Sequence, residues 1–141
     1  MTAQGIWRLT VRSDFAAAHA LRHYCGKCEN MHGHNFAVEA VVEGSTLTPD
    51  TELVLDFKVL KHALADVLAL LDHTMLNDVP PFDERNPSSE NLARFIYRHL
   101  AKRLAQAPDG AIPHAQDTRG VRVYSVTVSE KAAQSATYME R

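Results

Sequence analysis

Alternating apolar and polar positions predict four strands, two in the first third of the chain and two at its end. The first strand covers Ile6–Phe15. There, Trp7, Leu9 and Val11 alternate with polar residues, which is typical of a half-buried strand. The further strands are predicted over His32–Val42, Val121–Glu130 and Ala133–Glu140, with the last two forming a hairpin.

Two stretches between these strands have the spacing of amphipathic helices. Asp56 can cap the first helix. The second helix has Ser88 or Ser89 as its N-cap and Glu90 in its first turn. The apolar stripes are Phe57, Leu60, Leu64, Val67, Leu68 and Leu71 in the first helix and Leu92, Phe95, Ile96, Leu100 and Leu104 in the second. The order β-β-α-α-β-β predicts an α+β fold with an antiparallel sheet.

The composition is that of a globular protein. At 141 residues, of which 45% are hydrophobic and 23% charged, the chain is expected to form a single domain over residues 1–141. A formal net charge of −2 gives no reason to expect a nucleic-acid surface. The sequence contains no recognisable signal peptide and no apolar run of about twenty residues, so we expect a soluble, cytoplasmic protein that does not enter membranes.

Two histidines in the sequence CENMHGHNF begin the second predicted strand. Because strand side chains alternate in direction, His32 and His34 project from one face, roughly 7 Å apart at Cα, and can share a metal ion. Two histidines alone would leave the ion under-ligated, since catalytic zinc usually has three protein ligands. His19, which lies among small apolar residues in DFAAAHA, is the candidate third ligand.

Five sequence features occur in an order that resembles a known enzyme family. After His19 come CENMHGHN, LDHTMLN, NPSSEN and VTVSEKAAQSATY, which together span nearly the whole chain. They resemble the landmarks of the 6-pyruvoyltetrahydropterin synthase and 6-carboxytetrahydropterin synthase family. The resemblance implies the tunnelling fold (T-fold), in which a four-stranded antiparallel sheet carries two helices on one face. It also implies barrel-centred homohexamers with active sites between subunits.

Transferred position by position, the resemblance implies a zinc ion held by His19, His32 and His34. Substrate oxygens would fill the open coordination position. Cys28 matches the catalytic thiol of the family. A thiolate there is suited to remove a proton from a carbon next to a zinc-polarised oxygen.

The resemblance also assigns residues outside the histidine motif. Asp72 and His73 match an acid–base pair contributed by a neighbouring subunit, in which the aspartate orients the imidazole. Glu130 matches the carboxylate that anchors the amino-pyrimidine edge of the pterin through two charge-assisted hydrogen bonds. Ser88 and Ser89 stand where relatives have threonines that help hold the pterin ring.

Each of these residues also has a simpler interpretation. A His-x-His pair is often two ordinary hydrogen-bonded imidazoles. Cys25 and Cys28 form CGKC, which is commonly a metal knuckle or a redox pair. Asp72 and His73 at a helix end are typically solvated, and Glu130 near the end of a strand is typically exposed.

The leading functional hypothesis is a lyase that converts 7,8-dihydroneopterin triphosphate to 6-carboxy-5,6,7,8-tetrahydropterin, as bacterial relatives do for queuosine. One alternative is the elimination that yields 6-pyruvoyltetrahydropterin. Another is side-chain cleavage to a folate intermediate, because the pair Cys28-Glu29 resembles the CExxHGH motif of that subgroup. Outside this chemistry, the chain would be a non-catalytic zinc-stabilised binding module or a redox protein that uses Cys25 and Cys28.

Overall fold

The computed structural model describes residues 3, 5–26, 29–106, 118 and 120–141. In these residues the chain forms five strands and two α-helices. In chain order they are β1 (Trp7–His19), β2 (His32–Gly44), α1 (Phe57–Leu68), β3 (Thr74–Met75), α2 (Ser89–Ala105), β4 (Arg122–Lys131) and β5 (Gln134–Tyr138). A short 3-10 helix, Leu76–Asp78, follows β3.

The strands form one sheet in the order β3-β1-β2-β4-β5. All neighbouring pairs are antiparallel except β3, which runs parallel to β1. The predicted class, α+β with an antiparallel sheet and two helices, is confirmed. The additional strand is β3, which pairs only at Ala17 and Ala18 of β1. Two residues are too few for an alternating pattern to reveal a strand.

One face of the sheet is buried under the two helices. On β2 this face carries Phe36, Val38, Ala40 and Val42, which are at most 2% exposed. Helix α1 packs on β1 and on α2, and α2 packs on β4 and β5. The predicted apolar stripe of α2 is buried throughout, whereas Phe57 on α1 is 48% exposed. Phe57 begins α1 and lines a surface depression instead of contributing to the core.

Strand β1 extends four residues beyond its predicted end and ends at His19. The added residues are three alanines and a histidine, whose composition does not favour a strand. They continue the ladder with β2 without interruption, so that Phe15 pairs with Phe36 and His19 pairs with His32. The tertiary pairing therefore carries His19 into the sheet.

Both helices begin at capped N-termini. Asp56 caps α1, since its Oδ1 accepts a hydrogen bond of 2.8 Å from the backbone N–H of Lys58. Ser88, not Ser89, caps α2, and its Oγ accepts a hydrogen bond of 3.2 Å from the backbone N–H of Asn91. In the described part of the chain, neither helix is long and apolar enough to cross a membrane.

Candidate functional site

The three histidines predicted to bind metal lie together at one end of the sheet. His19 is directly opposite His32 in the β1–β2 ladder, and His34 is opposite Ala17. All three imidazoles are on the face that the helices cover. The ring centroids of His19 and His32 are 4.6 Å apart, those of His32 and His34 are 4.6 Å apart, and those of His19 and His34 are 5.5 Å apart.

Backbone carbonyls fix the orientation of two of the three imidazoles. Nδ1 of His19 donates a hydrogen bond of 2.8 Å to the carbonyl oxygen of Pro87. Nδ1 of His32 donates a hydrogen bond of 2.7 Å to the carbonyl oxygen of Asn30. Because the proton is on Nδ1, the lone pair is on Nε2, the atom that then coordinates a metal.

The Nε2 atom of His19 makes the strongest structural case for a bound cation. His19 is 0% exposed, and burial lowers its pKa, against the opposing effects of the Pro87 hydrogen bond and the Glu130 charge. None of the described residues forms a hydrogen bond with Nε2. A buried polar atom without a partner costs about 1–3 kcal/mol. A metal ion would satisfy this atom, so the site fits the predicted group.

Glu130 on β4 completes the cluster. Its Oε1 lies 3.4 Å from Nε2 of His19, and its Oε2 lies 3.5 Å from Nε2 of His34. The donor atoms of His19, His32, His34 and Glu130 all lie within 4.8 Å of one another, and this group is suited to hold a metal ion. The predicted pterin-anchoring residue is thus beside the predicted metal ligands.

The sequence of β4 carries a signal for this position of Glu130. Val126 and Val128 have the same parity on β4, and both are 0% exposed. The alternation V-T-V-S-E therefore places Glu130 on the core face, contrary to the general expectation that a glutamate near a strand end is exposed. Its side chain is only 14% exposed.

The segment between β1 and β2 carries the predicted thiol. Cys28 lies outside the described residues, so its catalytic role stays a prediction. Cys25 is exposed. Glu29 is exposed as well, and its backbone N–H donates a hydrogen bond of 3.2 Å to the carbonyl oxygen of Gly26.

Asp72 and His73 lie beyond helix α1, not at its end as predicted. The helix ends at Leu68, and the pair occupies the turn that leads to β3. Oδ1 of Asp72 accepts a hydrogen bond of 2.9 Å from the backbone N–H of Ala16, and Oδ2 accepts one of 2.8 Å from Nδ1 of His73. Both hydrogen bonds lower the pKa of Asp72, and the one from Ala16 has the larger effect.

The imidazole of His73 lies at the surface, where it lines an open depression together with His34. The backbone of His73 has a φ of 56°, which is uncommon for a residue with a side chain, and its N–H donates to the carbonyl oxygen of Ala16. The side chain is 83% exposed. No hydrogen bond or ion pair between described residues joins Asp72 or His73 to the cluster. Their catalytic role stays a prediction.

The predicted pterin-holding serines begin helix α2 and are half-buried. The Oγ atom of Ser88 is used as the N-cap, which gives this residue a structural role. The preceding residue, Pro87, accepts the hydrogen bond of His19. The motif NPSSEN therefore contacts the cluster through a backbone carbonyl, while binding of the pterin by Ser88 and Ser89 stays a prediction.

Two asparagines that sequence reasoning overlooked hold the chain just after His19. Asn77 accepts a hydrogen bond of 2.9 Å from the N–H of Ala20 and donates one of 3.0 Å to its carbonyl oxygen. Asn86 forms the same pair of bonds with Arg22, at 2.8 Å and 2.9 Å. Asn77 ends LDHTMLN and Asn86 begins NPSSEN, so these two motifs fix the exit of β1.

The substitution Asn86→Ala should lower the free energy of unfolding by about 1–3 kcal/mol, because it leaves a part-buried N–H and a carbonyl of Arg22 without partners. Urea unfolding of the metal-loaded protein measures this change. Asn35→Ala is the matched control, since Asn35 is exposed. Equal unfolding midpoints for the two variants would show that the hydrogen bonds between Asn86 and Arg22 do not stabilise the fold.

Comparison with known proteins agrees with this geometry. The matching family model is described as 6-pyruvoyl tetrahydropterin synthase and covers residues 8–141. The chain is 29% identical to the 6-carboxy-5,6,7,8-tetrahydropterin synthase of Aquifex aeolicus, over 96% of this chain and 90% of that protein. It is 37% identical to the dihydroneopterin monophosphate aldolase of Pyrococcus furiosus, over 69% of this chain and 77% of that protein.

Structural comparison gives the same family. The 6-pyruvoyl tetrahydropterin synthase of Caenorhabditis elegans superposes with a TM-score of 0.78 at 26% identity, and the match covers 100% of both chains. The predicted resemblance and the prediction that the chain is an enzyme are both confirmed. The chain belongs to the 6-pyruvoyl tetrahydropterin synthase family.

Proposed function

We propose that the chain is a zinc-dependent lyase that converts 7,8-dihydroneopterin triphosphate to 6-carboxy-5,6,7,8-tetrahydropterin, with release of acetaldehyde and triphosphate. This would be a cytoplasmic step of queuosine biosynthesis. The observation that carries the proposal is the cluster of three histidines and Glu130 in a chain of this family. Similarity to the Aquifex relative, which covers most of both chains, favours this product.

The residues of the chain divide the chemistry among them. A zinc ion held by His19, His32 and His34 would act as a Lewis acid towards a substrate oxygen. Cys28 would remove the proton from the carbon beside that oxygen. Nδ1 of His73 donates a hydrogen bond to Asp72, which leaves Nε2 accessible. Nε2 can therefore take up a proton from the substrate side chain or deliver one to it.

Product identification tests the proposed reaction. Purified zinc-loaded protein should consume 7,8-dihydroneopterin triphosphate, and mass spectrometry should detect the 6-carboxy product. Detection of the 6-pyruvoyl or 6-hydroxymethyl product instead would assign the chain to one of the other activities. A protein that holds zinc but leaves the substrate intact would be a binding module.

Side-chain cleavage to a 6-hydroxymethyl product is the second candidate. It is favoured by Glu29, which follows Cys28 directly, and by the similarity to a dihydroneopterin monophosphate aldolase. Glu29 is exposed and lies three residues before His32 in the chain. If this cleavage occurs, Glu29→Gln should reduce the 6-hydroxymethyl product and spare the 6-carboxy product.

The substitution Cys28→Ala should reduce turnover by about 10²–10⁴-fold, the usual contribution of a general base, while zinc content stays at the wild-type level. Steady-state kinetics and metal analysis measure the two effects. Cys25→Ala is the matched control and should retain turnover. Loss of zinc from both variants would instead favour a metal knuckle formed by the CGKC sequence.

A further inference from the structure

We propose that Glu130 is a fourth protein ligand of the metal in the substrate-free enzyme, and that the pterin draws its carboxylate off the metal. The first half depends only on the geometry of the cluster. The second half rests on the proposed function, because it requires a pterin to bind there. Glu130 would then both close the metal site and recognise the substrate that opens it.

The distances at Glu130 match those between ligands of one ion. With bonds of about 2.0–2.1 Å, two ligand atoms of a tetrahedral zinc ion lie about 3.3 Å apart. Oε1 of Glu130 lies 3.4 Å from Nε2 of His19, and Oε2 lies 3.5 Å from Nε2 of His34. The carboxylate therefore has the spacing of a ligand that shares an ion with these imidazoles.

The hydrogen-bond chemistry of the contact also favours a bound cation. Nδ1 of His19 donates its proton to Pro87, so Nε2 presents a lone pair. A carboxylate presents only lone pairs as well. Two acceptors facing each other in a buried site repel unless a positive charge lies between them, and Nε2 has no hydrogen-bond partner among the described residues. A shared metal ion resolves the contact.

Glu130 is the ligand best able to leave. Carbonyl hydrogen bonds fix the imidazoles of His19 and His32, and His19 is fully buried. No described residue donates a hydrogen bond to the Glu130 carboxylate, which is 14% exposed near the end of β4. Its longer side chain can rotate away while the histidines stay in place.

Release of Glu130 would convert a closed site into a catalytic one. Four protein ligands fill a tetrahedral zinc site, whereas catalytic zinc keeps one position for substrate or water. An amino-pyrimidine edge offers two N–H donors to a carboxylate. When a pterin binds, Glu130 would therefore give up its bond to the metal and accept these two hydrogen bonds instead. An oxygen of the substrate side chain would then enter the vacated position.

Cobalt substitution tests the ligand role without any turnover. The visible spectrum of Co²⁺ distinguishes four-coordinate from five- or six-coordinate sites. Cobalt-loaded wild-type protein should give a four-coordinate spectrum. In Glu130→Gln a neutral oxygen replaces the carboxylate, so the spectrum should change and Co²⁺ should bind about tenfold or more less tightly. Glu39→Gln, a change on an exposed carboxylate that pairs with Arg12, is the matched control and should resemble wild type.

Two further variants and ligands complete the test. Glu130→Asp keeps the charge on a shorter side chain and should give intermediate Co²⁺ affinity. Biopterin should shift the wild-type cobalt spectrum towards that of Glu130→Gln. Identical spectra and affinities for wild type and Glu130→Gln would overturn the ligand role even if the enzyme turns over its pterin substrate. An unchanged spectrum with biopterin bound would overturn the release of Glu130 from the metal.

Failure of the proposed function gives a different result. A spectral difference between wild type and Glu130→Gln, together with no binding of biopterin and no consumption of dihydroneopterin triphosphate, would retain the ligand role. The same result would overturn both the release of Glu130 from the metal by a pterin and the proposed reaction.

Discussion

The double variant His32→Ala, His34→Ala should retain almost no tightly bound zinc, and its turnover should fall by about a thousandfold or more. The two substitutions remove two of the four donors in the cluster and leave only His19 and Glu130. Zinc acting as a Lewis acid contributes several kcal/mol to stabilisation of a transition state, and 4 kcal/mol corresponds to about a thousandfold in rate.

Metal analysis of the purified protein measures the first effect. Wild-type protein should contain about one zinc ion per chain, as expected for a single site with three histidine ligands. His62→Ala is the control, because His62 is an exposed residue of α1 that pairs with Asp66, outside the cluster. Full zinc retention in the double variant would place the metal elsewhere, with the CGKC sequence as the first alternative.

Much of the cluster could be predicted because strand parity is a local property. His32 and His34 share a face with Phe36, and that face is the buried one. The position of His19 required more, because three alanines between Phe15 and His19 give no alternating pattern. Only the uninterrupted pairing of β1 with β2 places His19 opposite His32.

The contacts that support the cluster could not be predicted from local patterns. Pro87 is 68 residues from His19 in the chain, yet its carbonyl fixes the imidazole. Asn77 and Asn86 hold Ala20 and Arg22 across separations of 57 and 64 residues. In the sequence alone, an asparagine in a polar segment indicates a turn as readily as a hydrogen bond to a distant part of the chain. These roles exist only after the segments have packed together.

The separation of His73 from the cluster bears on assembly. The order of the sheet places β1 and β2 between β3 and β4. Three strand spacings amount to about 14 Å, so His73, just before β3, is far from Glu130 on β4. The imidazole is 83% exposed and is held by Asp72 at the outer edge of β1. Within one subunit this imidazole lines a surface depression with His34, but no hydrogen bond or ion pair between described residues joins it to the cluster.

The edges of the sheet offer a route to association. Among described residues, β3 pairs with β1 only at Ala17 and Ala18, which leaves the outer edge of β1 before them without a partner strand. Open edges favour pairing with another strand. Trp7 and Phe57 are 47% and 48% exposed in a shared surface depression near this edge. We therefore expect subunits to associate, with a hexamer as the form implied by the resemblance.

Mixing two inactive variants, Cys28→Ala and His73→Ala, should restore activity under conditions that allow subunits to exchange. If each site combines Cys28 and the histidines of one subunit with Asp72 and His73 of another, random exchange yields some sites with both groups intact. In a 1:1 mixture these are about a quarter of all sites. Recovery of up to about a quarter of wild-type turnover is therefore the expected result, and neither variant alone should show it.

The control for exchange is a mixture of Cys28→Ala with the double variant Cys28→Ala, His73→Ala. Every site in that mixture lacks the thiol, so activity should stay at the background level. Subunit exchange is followed independently by mass spectrometry of isotope-labelled and unlabelled chains. No recovery despite complete exchange, or activity that elutes with a monomer on gel filtration, would show that each subunit carries a complete site and that His73 reaches the metal within its own chain.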